Sequence, residues 1–227
     1  MPLHAPAVAT DHPHHSLGFN LGAIAALVLL VAVGAGYLVD SLDRQSRTTL
    51  PHLSDGEPII QTIAGKQLSI PTRWFRYGEQ LKAGFTNQID LRLTMSVDDG
   101  ALSVPVDVTL LPRSRARTSA SLLDNVYLHQ FSDDTAGGIP GLIGKPMVSS
   151  NGISSETVWY DALSPNPFVA KCMAAVSPDA PSQCVRTVYL TSGIAAIYAF
   201  DATALQSWRD FDTAMERWLT PIGAWSN

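Results

Sequence analysis

The pattern of hydrophobic and polar positions separates an apolar N-terminal segment from a longer region in which the two kinds of residue alternate. Residues 17–39 contain no charged side chain. A helix of this length rises about 34 Å at about 1.5 Å per residue, which is enough to cross a hydrocarbon core of about 30 Å. We therefore predict a disordered tail over residues 1–16 and one transmembrane helix over residues 17–39.

A cleaved secretory signal peptide is the alternative interpretation of the same segment. The tail before it contains no Lys or Arg, whereas a signal peptide normally begins with a basic region and has an apolar run of about 7–15 residues. The small residues Val33-Gly34-Ala35 keep a cleavage site open as an alternative. We favour a retained signal anchor.

The orientation of this anchor follows from its flanks only in part. The first basic residues of the chain, Arg44 and Arg47, follow the span, and the positive-inside rule alone would place the large domain in the cytoplasm. Asp40 and Asp43 lie among them, and long domains are translocated largely regardless of loop charge. We predict a single-pass protein of the bacterial inner membrane with its C-terminal domain in the periplasm.

Small residues share one face of the predicted transmembrane helix. They recur at steps of about three and four, interrupted only at Leu29, and comprise Gly18, Gly22, Ala25, Ala32 and Gly36. Small residues allow a neighbouring helix to approach closely in the bilayer, although Gly is also frequent in membrane helices in general. The pattern predicts two kinds of partner, the lipid bilayer and other membrane-protein subunits.

Beyond a polar linker over residues 40–58, we predict a folded domain over residues 59–227. Residues 89–98 alternate apolar and polar positions without a break, and residues 102–110 repeat the alternation. This period is typical of strands with one buried face. Because the turn signal Asp98-Asp99-Gly100 lies between them, the two segments predict a β-hairpin.

Several further elements follow from the same reasoning. Pro105 indicates that the second strand lies at a sheet edge or contains a bulge. Residues 119–131 change to helical spacing and predict one amphipathic helix. Four more strands are predicted over residues 157–161, 168–175, 184–191 and 194–201. A capping box over residues 203–206 predicts the start of a final helix, whose apolar face comprises Trp208, Phe211, Met215, Trp218 and Leu219.

These elements predict a β-rich α+β domain with an antiparallel sheet, a mid-chain helix and a C-terminal helix packed on the sheet. The order of the elements over residues 59–221 resembles the layout of PsbP/Mog1-like domains. The resemblance rests on this order alone, and no motif residue is transferred. It implies a small binding or assembly factor rather than an enzyme.

The two cysteines of the chain, Cys172 and Cys184, flank the turn-rich segment 176–183. In an antiparallel hairpin centred near Pro178 they lie opposite each other on one face, close enough for a disulfide. The alternative is that they are two unrelated small core residues. A disulfide favours an oxidising compartment such as the periplasm.

Charge argues against a nucleic-acid partner. All 15 Lys and Arg residues, and all of the 20 Asp and Glu residues except Asp11, follow residue 39, so the domain side of the chain is slightly acidic. Such a surface binds nucleic acid poorly. Arg113, Arg115 and Arg117 form the basic cluster of the chain. We interpret it as a solvated strand end or turn, with a contact site for an anion as the alternative.

The sequence provides little support for catalysis. His129 lies near Asp133 and Asp134, which would suit an acid–base or metal cluster, but an exposed polar helix end is the favoured interpretation. The segment 137–145 lacks the end of a phosphate-binding loop. We predict no catalytic, cofactor or metal site, and no enzyme activity.

Two functions fit these features. The first is a non-catalytic accessory or assembly subunit of a larger bacterial inner-membrane complex. The alternative is a membrane-anchored periplasmic ligand-binding or sensory module, in which the Gly- and Pro-rich loop over residues 137–144 shapes the site, since long loops of this kind often bind something.

Overall fold

The computed structural model describes residues 27, 28, 30, 56–97, 100–148, 156–175, 177, 180–190 and 193–225. The chain divides into two compact units, Met1–Thr49 and Leu50–Asn227. The tail and the small-residue face of the predicted transmembrane helix, Gly18, Gly22, Ala25, Ala32 and Gly36, lie outside the described residues.

Three residues of the predicted membrane span are described. Leu27, Val28 and Leu30 are helical and exposed. Within the described part of the chain, the structure contains no helix that is both long and apolar enough to cross a membrane.

The second unit begins with a small sheet. It contains β1 (Pro58–Ile63), β2 (Lys66–Pro71) and the two-residue β3 (Gly84–Phe85). The strands lie in the order β2-β1-β3, with β1 antiparallel to β2 and parallel to β3. The first described strand of this unit therefore begins at Pro58.

A larger antiparallel sheet follows. Its strands are β4 (Ile89–Val97), β5 (Leu102–Pro112), β6 (Ile143–Pro146), β7 (Glu156–Tyr160), β8 (Val169–Met173), β9 (Gln183–Tyr189) and β10 (Ile194–Asp201). Among the described residues these seven strands lie in the order β4-β5-β10-β9-β8-β7-β6. The predicted α+β class and antiparallel sheet are confirmed, and so is the hairpin of β4 and β5.

Pro105 lies in an internal strand whose register with β4 is continuous, so the prediction that this strand is a sheet edge or contains a bulge is wrong. β5 pairs with β4 on one side and with β10 on the other. Pairing with β10 ends where Phe200 lies opposite Val106, which is the residue after Pro105. Because proline cannot donate a backbone hydrogen bond, it is tolerated where the neighbouring strand has ended.

The mid-chain helix is shorter than predicted. Helix α1 covers Ser119–Asn125, and a 3₁₀ helix follows over Tyr127–Gln130. Thr118 caps the start of α1, since its side chain accepts a hydrogen bond from the Ser121 N–H. The helix ends at Val126, whose φ of −133° departs from helical geometry. The prediction of one continuous helix over residues 119–131 is therefore wrong in its second half.

The C-terminal helix α2 covers Trp208–Leu219 and follows a 3₁₀ helix over Ala202–Ser207. The predicted capping box at Thr203 is wrong. The side chain of Asp201, at the end of β10, accepts the hydrogen bond from the Thr203 N–H at 2.8 Å and caps the 3₁₀ helix instead. The predicted apolar face of α2 is confirmed, with Phe211, Met215, Trp218 and Leu219 buried.

Two apolar clusters stabilise the sheet. The main core lies between the sheet, β1, β2 and α2, and at its centre Phe211 contacts Phe200 and Tyr198 at ring-centroid distances of 4.6 and 5.5 Å. A smaller cluster contains Leu123 of α1 with Met147, Val158 and Val169. The alternation of apolar residues along each strand decides which side chains enter these clusters.

The predicted disulfide is confirmed. Cys172 of β8 and Cys184 of β9 are cross-strand neighbours with a Cα–Cα distance of 3.9 Å, and their sulfur atoms are bonded. Both side chains belong to the main core. The bond therefore joins two neighbouring strands inside the domain.

An ion pair between a buried arginine and a half-exposed aspartate fixes α2 to the sheet. Arg186 of β9 donates two hydrogen bonds to the Asp212 carboxylate, at 3.1 and 2.7 Å, and a third to the Val169 carbonyl at 3.3 Å. Its guanidinium lies 4.4 Å from the centre of the Phe168 ring. A two-pronged Arg–carboxylate contact sets orientation as well as distance, so this pair positions α2 across β9.

Parts of both edges of the large sheet are covered by other segments of the chain. Phe75 bridges to Leu91 along β4, and Phe131 and Ala136 bridge to Met147 and Gly144 along β6. Covered edges prevent pairing with other chains. These bridges therefore limit where a further strand can join the large sheet.

Candidate binding cleft

A cleft opens beside the small sheet. It has a volume of about 530 Å³ and is lined by Gln61 of β1, by most of segment 79–88 and by Arg115. We call it the β3 cleft, because β3 lies within this segment. Its residues come from three separate parts of the chain, which the pairing of β1 with β3 and of β4 with β5 brings together.

Gln61 of β1 anchors segment 79–88 through hydrogen bonds to its backbone. Its Nε2 donates hydrogen bonds to the carbonyl oxygens of Gln80 and Lys82, at 2.7 and 2.9 Å. The residue is only 3% exposed. Its Oε1 is buried and accepts no hydrogen bond from the described residues. Since a buried carbonyl oxygen without a partner is energetically costly, this atom is a candidate acceptor for a ligand.

Asp90 holds the other end of the segment. Its carboxylate accepts hydrogen bonds from Gln80 Nε2 and Gln88 Nε2, both at 2.8 Å, and from Thr109 Oγ1 at 2.6 Å. The Asp90 N–H donates to Gln80 Oε1 at 2.9 Å. Asp90 is 4% exposed, so its charge is stabilised by these donors rather than by water. The wall of the cleft is therefore fixed at several points.

The rim of the cleft is basic. Lys82 and Arg115 line it, and Arg115 Nη1 donates to the Asn87 carbonyl at 3.1 Å. Arg115 lies in a 3₁₀ helix over Arg113–Arg115 at the end of β5. The interpretation of this cluster as a turn at a strand end is thus confirmed, and the turn brings Arg115 next to Lys82 at one cleft.

An aromatic side chain projects beside the basic rim. Phe85 of β3 lines the cleft and is 93% exposed. Large aromatic residues are enriched in protein interfaces and carry much of the binding energy there. The cleft therefore combines an apolar contact with amide groups and positive charge.

These side chains are suited to binding. Gln80, Asn87 and Gln88 supply hydrogen-bonding amides, while Lys82 and Arg115 supply charge. Of the lining residues, Thr86 has a hydroxyl group, which donates to the Gln88 carbonyl at 2.7 Å. In this arrangement the cleft can recognise a polar ligand through hydrogen bonds and ion pairs.

The structure does not bring His129 together with Asp133 and Asp134. The three residues are exposed. Lys145 Nζ instead contacts the carbonyl oxygens of Asp133 and Asp134, at 3.2 and 2.8 Å. Within the described ranges, no group of three or more His, Cys, Asp or Glu side chains has the geometry to hold a metal ion.

The Gly- and Pro-rich loop packs on the domain. The Trp208 Nε1–H donates to the Pro140 carbonyl at 3.0 Å, and Leu142 enters the main core. A side chain at Gly144 would come within 2.7 Å of the Trp159 ring, so the loop approaches the sheet closely there. These contacts give the loop a structural role, whereas its composition and length predict that it shapes a ligand site.

Most residues of the cleft could not be identified as functional from the sequence pattern. Gln61 stands between Ile59 and Ile63 on the alternating positions of β1, where an apolar residue is expected. That break in the pattern is a signal for a special role. Phe85 and Asp90 carry no such signal, because their importance depends on exposure and on contacts with distant residues.

No protein-family model matches the chain, and no curated protein matches it. A solved structure that resembles it is Smlt3025, an immunity protein of the type IV secretion system of Stenotrophomonas maltophilia. The two share 9% identity with a TM-score of 0.42, over 73% of this chain and 93% of that one. A likeness at this level assigns no function, and the resemblance to PsbP/Mog1-like domains stays a prediction.

Proposed function

We propose that this chain is a non-catalytic accessory subunit of a larger bacterial inner-membrane complex. Residues 17–39 anchor it, and the domain that begins at β1 binds a partner protein in the periplasm through the β3 cleft. The observation that carries this proposal is the exposure of Phe85 beside a cleft whose walls are fixed by partly buried hydrogen bonds.

The compartment follows from two features. The uncharged segment 17–39 has the length and composition of a membrane anchor. The disulfide between Cys172 and Cys184 suits an oxidising compartment, because cytosolic thiols are kept reduced. Both features support a domain that is exported and remains at the membrane.

Binding to a protein follows from the surface around Phe85. An aromatic ring that is 93% exposed gains free energy when a partner covers it. Gln61 and Asp90 hold the adjacent segment, so little conformational entropy is lost on association. A rigid rim with one aromatic anchor is typical of a protein interface.

The test is co-purification of the full chain from its native membranes in mild detergent. We expect a stoichiometric partner with the unaltered protein and loss of that partner with Phe85→Ala. Leu163→Ala is the matched control, because Leu163 is 95% exposed and does not line the cleft. Retention of the partner by both variants, or its absence from the unaltered protein, would contradict the proposal.

A second candidate function is a membrane-anchored periplasmic ligand-binding or sensory module. The unpartnered Oε1 of Gln61 favours it, since a small ligand with an N–H or O–H donor would satisfy that atom. A panel of amino acids, sugars and dicarboxylic acids would then raise the melting temperature of the unaltered protein. The same compounds would leave a Gln61→Met variant unchanged, and partner binding would be insensitive to Phe85→Ala.

A further inference from the structure

The basic rim of the β3 cleft indicates which kind of partner it fits. We infer that the cleft binds an acidic, extended segment of the partner protein, with a carboxylate between Lys82 and Arg115 and an apolar side chain against Phe85. This inference rests on the proposed function, because it describes the partner that the accessory subunit would hold.

Charge is the first argument. Lys82, Arg113, Arg115 and Arg117 are exposed, and none of them forms an ion pair with an Asp or Glu of the described domain. Elsewhere in the same domain, Arg76, Arg92, Lys171 and Arg186 are each paired with a carboxylate. Lys82 and Arg115 thus bring unpaired positive charge to one cleft on a chain whose net charge is −5.

Two acidic groups lie nearby, one exposed and one buried. Glu79 lines the cleft, and the Asp90 carboxylate lies beneath it. Asp90 already accepts hydrogen bonds from Gln80, Gln88 and Thr109 and is buried. In the lining of the cleft, the exposed cations Lys82 and Arg115 outnumber the one exposed carboxylate, that of Glu79, and this surplus favours an anionic partner.

The positions of the guanidinium groups are the second argument. Arg115 is held by its hydrogen bond to the Asn87 carbonyl, and Arg113 stacks on the Tyr189 ring at 4.2 Å. Tyr189 is itself fixed, since its hydroxyl donates to the Ala116 carbonyl at 2.8 Å. Arginines that are already ordered lose less entropy when they bind a carboxylate, and their planar donors match its geometry.

The form of the cleft favours a peptide over a lipid surface. Anionic lipid headgroups would attract the same cations. A flat membrane surface would reach only the rim of the cleft. Gln61 and Gln80 line the interior of the cleft, which has a volume of about 530 Å³ and can be entered by a peptide. A polypeptide offers backbone N–H groups for an acceptor such as Gln61 Oε1 together with acidic side chains.

The test uses the full chain in a non-ionic detergent and fluorescein-labelled synthetic peptides. The acidic probe is a decapeptide that alternates glutamate and valine, and the neutral probe replaces every glutamate with glutamine. Fluorescence anisotropy is recorded at low and at high salt for the unaltered chain, for Lys82→Gln/Arg115→Gln and for Arg73→Gln/Arg217→Gln. The last variant removes the same charge from two exposed residues that do not line the cleft.

We expect the acidic peptide to bind the unaltered chain and the control variant alike. The affinity should fall about tenfold in Lys82→Gln/Arg115→Gln, which corresponds to about 1.4 kcal/mol, and should weaken with salt. Melting temperatures of the three proteins should agree, because the altered side chains are exposed.

Three results would overturn the inference. One is that the neutral peptide binds as tightly as the acidic one, and another is that the Lys82→Gln/Arg115→Gln variant keeps full affinity. The third is that the chain binds phosphatidylglycerol vesicles through these residues and binds neither peptide. Failure of the proposed function is distinguishable from these results. If Phe85→Ala releases the native partner while Lys82→Gln/Arg115→Gln retains it, the cleft is the interface and the acidic chemistry is wrong.

Discussion

The core under α2 and the β3 cleft are held together by different interactions. In the core, Phe211 of α2 lies against Tyr198 and Phe200 of β10, and apolar contact supplies the stability. In the cleft, Gln61 and Asp90 are as deeply buried, but each is held by hydrogen bonds to one short segment.

We interpret the core as the region that supplies stability and the cleft as the region that supplies recognition. Apolar packing is non-directional, so the core tolerates a change only as far as its volume is conserved. Hydrogen bonds are directional, so the cleft fixes where Lys82 and Arg115 lie without adding much to the free energy of unfolding. We therefore expect substitutions in the two regions to affect different measurements.

The largest effect is expected in the core. Phe211→Ala removes a fully buried ring that contacts Phe168, Tyr198 and Phe200. Loss of these contacts and the cavity left behind should lower the free energy of unfolding by about 3–5 kcal/mol, measured by urea denaturation. Phe85→Ala is the contrasting variant, because Phe85 is exposed and its stability should change by no more than about 0.5 kcal/mol. Equal losses in the two variants would contradict the comparison.

The next effect concerns the bond between β8 and β9. Replacing both Cys172 and Cys184 with Ala should lower the free energy of unfolding by about 2–4 kcal/mol, because the disulfide restricts the unfolded chain. Reductant should lower the denaturation midpoint of the unaltered protein and leave the variant unchanged. If the denaturation midpoint of the unaltered protein is the same with and without reductant, the disulfide contributes no stability. Peptide binding at the β3 cleft should persist in the variant under conditions where it is folded.

The smallest effect concerns a polar atom inside the apolar core. Burial raises the pKa of Tyr198, whose hydroxyl accepts and donates no hydrogen bond within the described part of the chain. At neutral pH, Tyr198→Phe should leave stability unchanged or raise it by up to about 1 kcal/mol. Tyr189→Phe should instead lower it by about 1 kcal/mol, because the Tyr189 hydroxyl donates to the Ala116 carbonyl.

The same substitution should change the response to alkali. An unfolded tyrosine loses its proton above a pH of about 10. Because folded Tyr198 keeps its proton to a higher pH, the unfolded state binds fewer protons there and stability falls as the pH rises. The contribution of Tyr198 to that fall is about 1.4 kcal/mol in total between pH 9 and pH 11, and it should vanish in Tyr198→Phe. Urea denaturation between pH 9 and pH 11 measures it, and identical slopes for the two proteins would contradict the assignment.

Local patterns were sufficient for much of the fold. The alternation along β4 and β5 and the turn between them identified the hairpin, and the spacing of Phe211, Met215 and Trp218 identified the buried face of α2. The symmetry of Cys172 and Cys184 about a turn identified the disulfide. In each case the controlling interactions lie within one element or between neighbours, where the period of the backbone determines which side chains meet.

Other features depended on residues far apart in the chain. Pro105 was tolerated because β10 ends beside it. The Gly- and Pro-rich loop became structural because Trp208 of α2 binds the Pro140 carbonyl. None of these partners can be identified from a local pattern.

What the sequence determined by itself is the uncharged segment 17–39, the antiparallel α+β domain and its disulfide, because periodicity and composition act along the chain. The tertiary structure alone decided that Gln61, the segment 79–88 and Arg115 share one cleft. Strand pairing brings these distant parts together. The hydrogen bonds that Gln61 and Asp90 form with the segment then hold the basic rim and Phe85 at the surface.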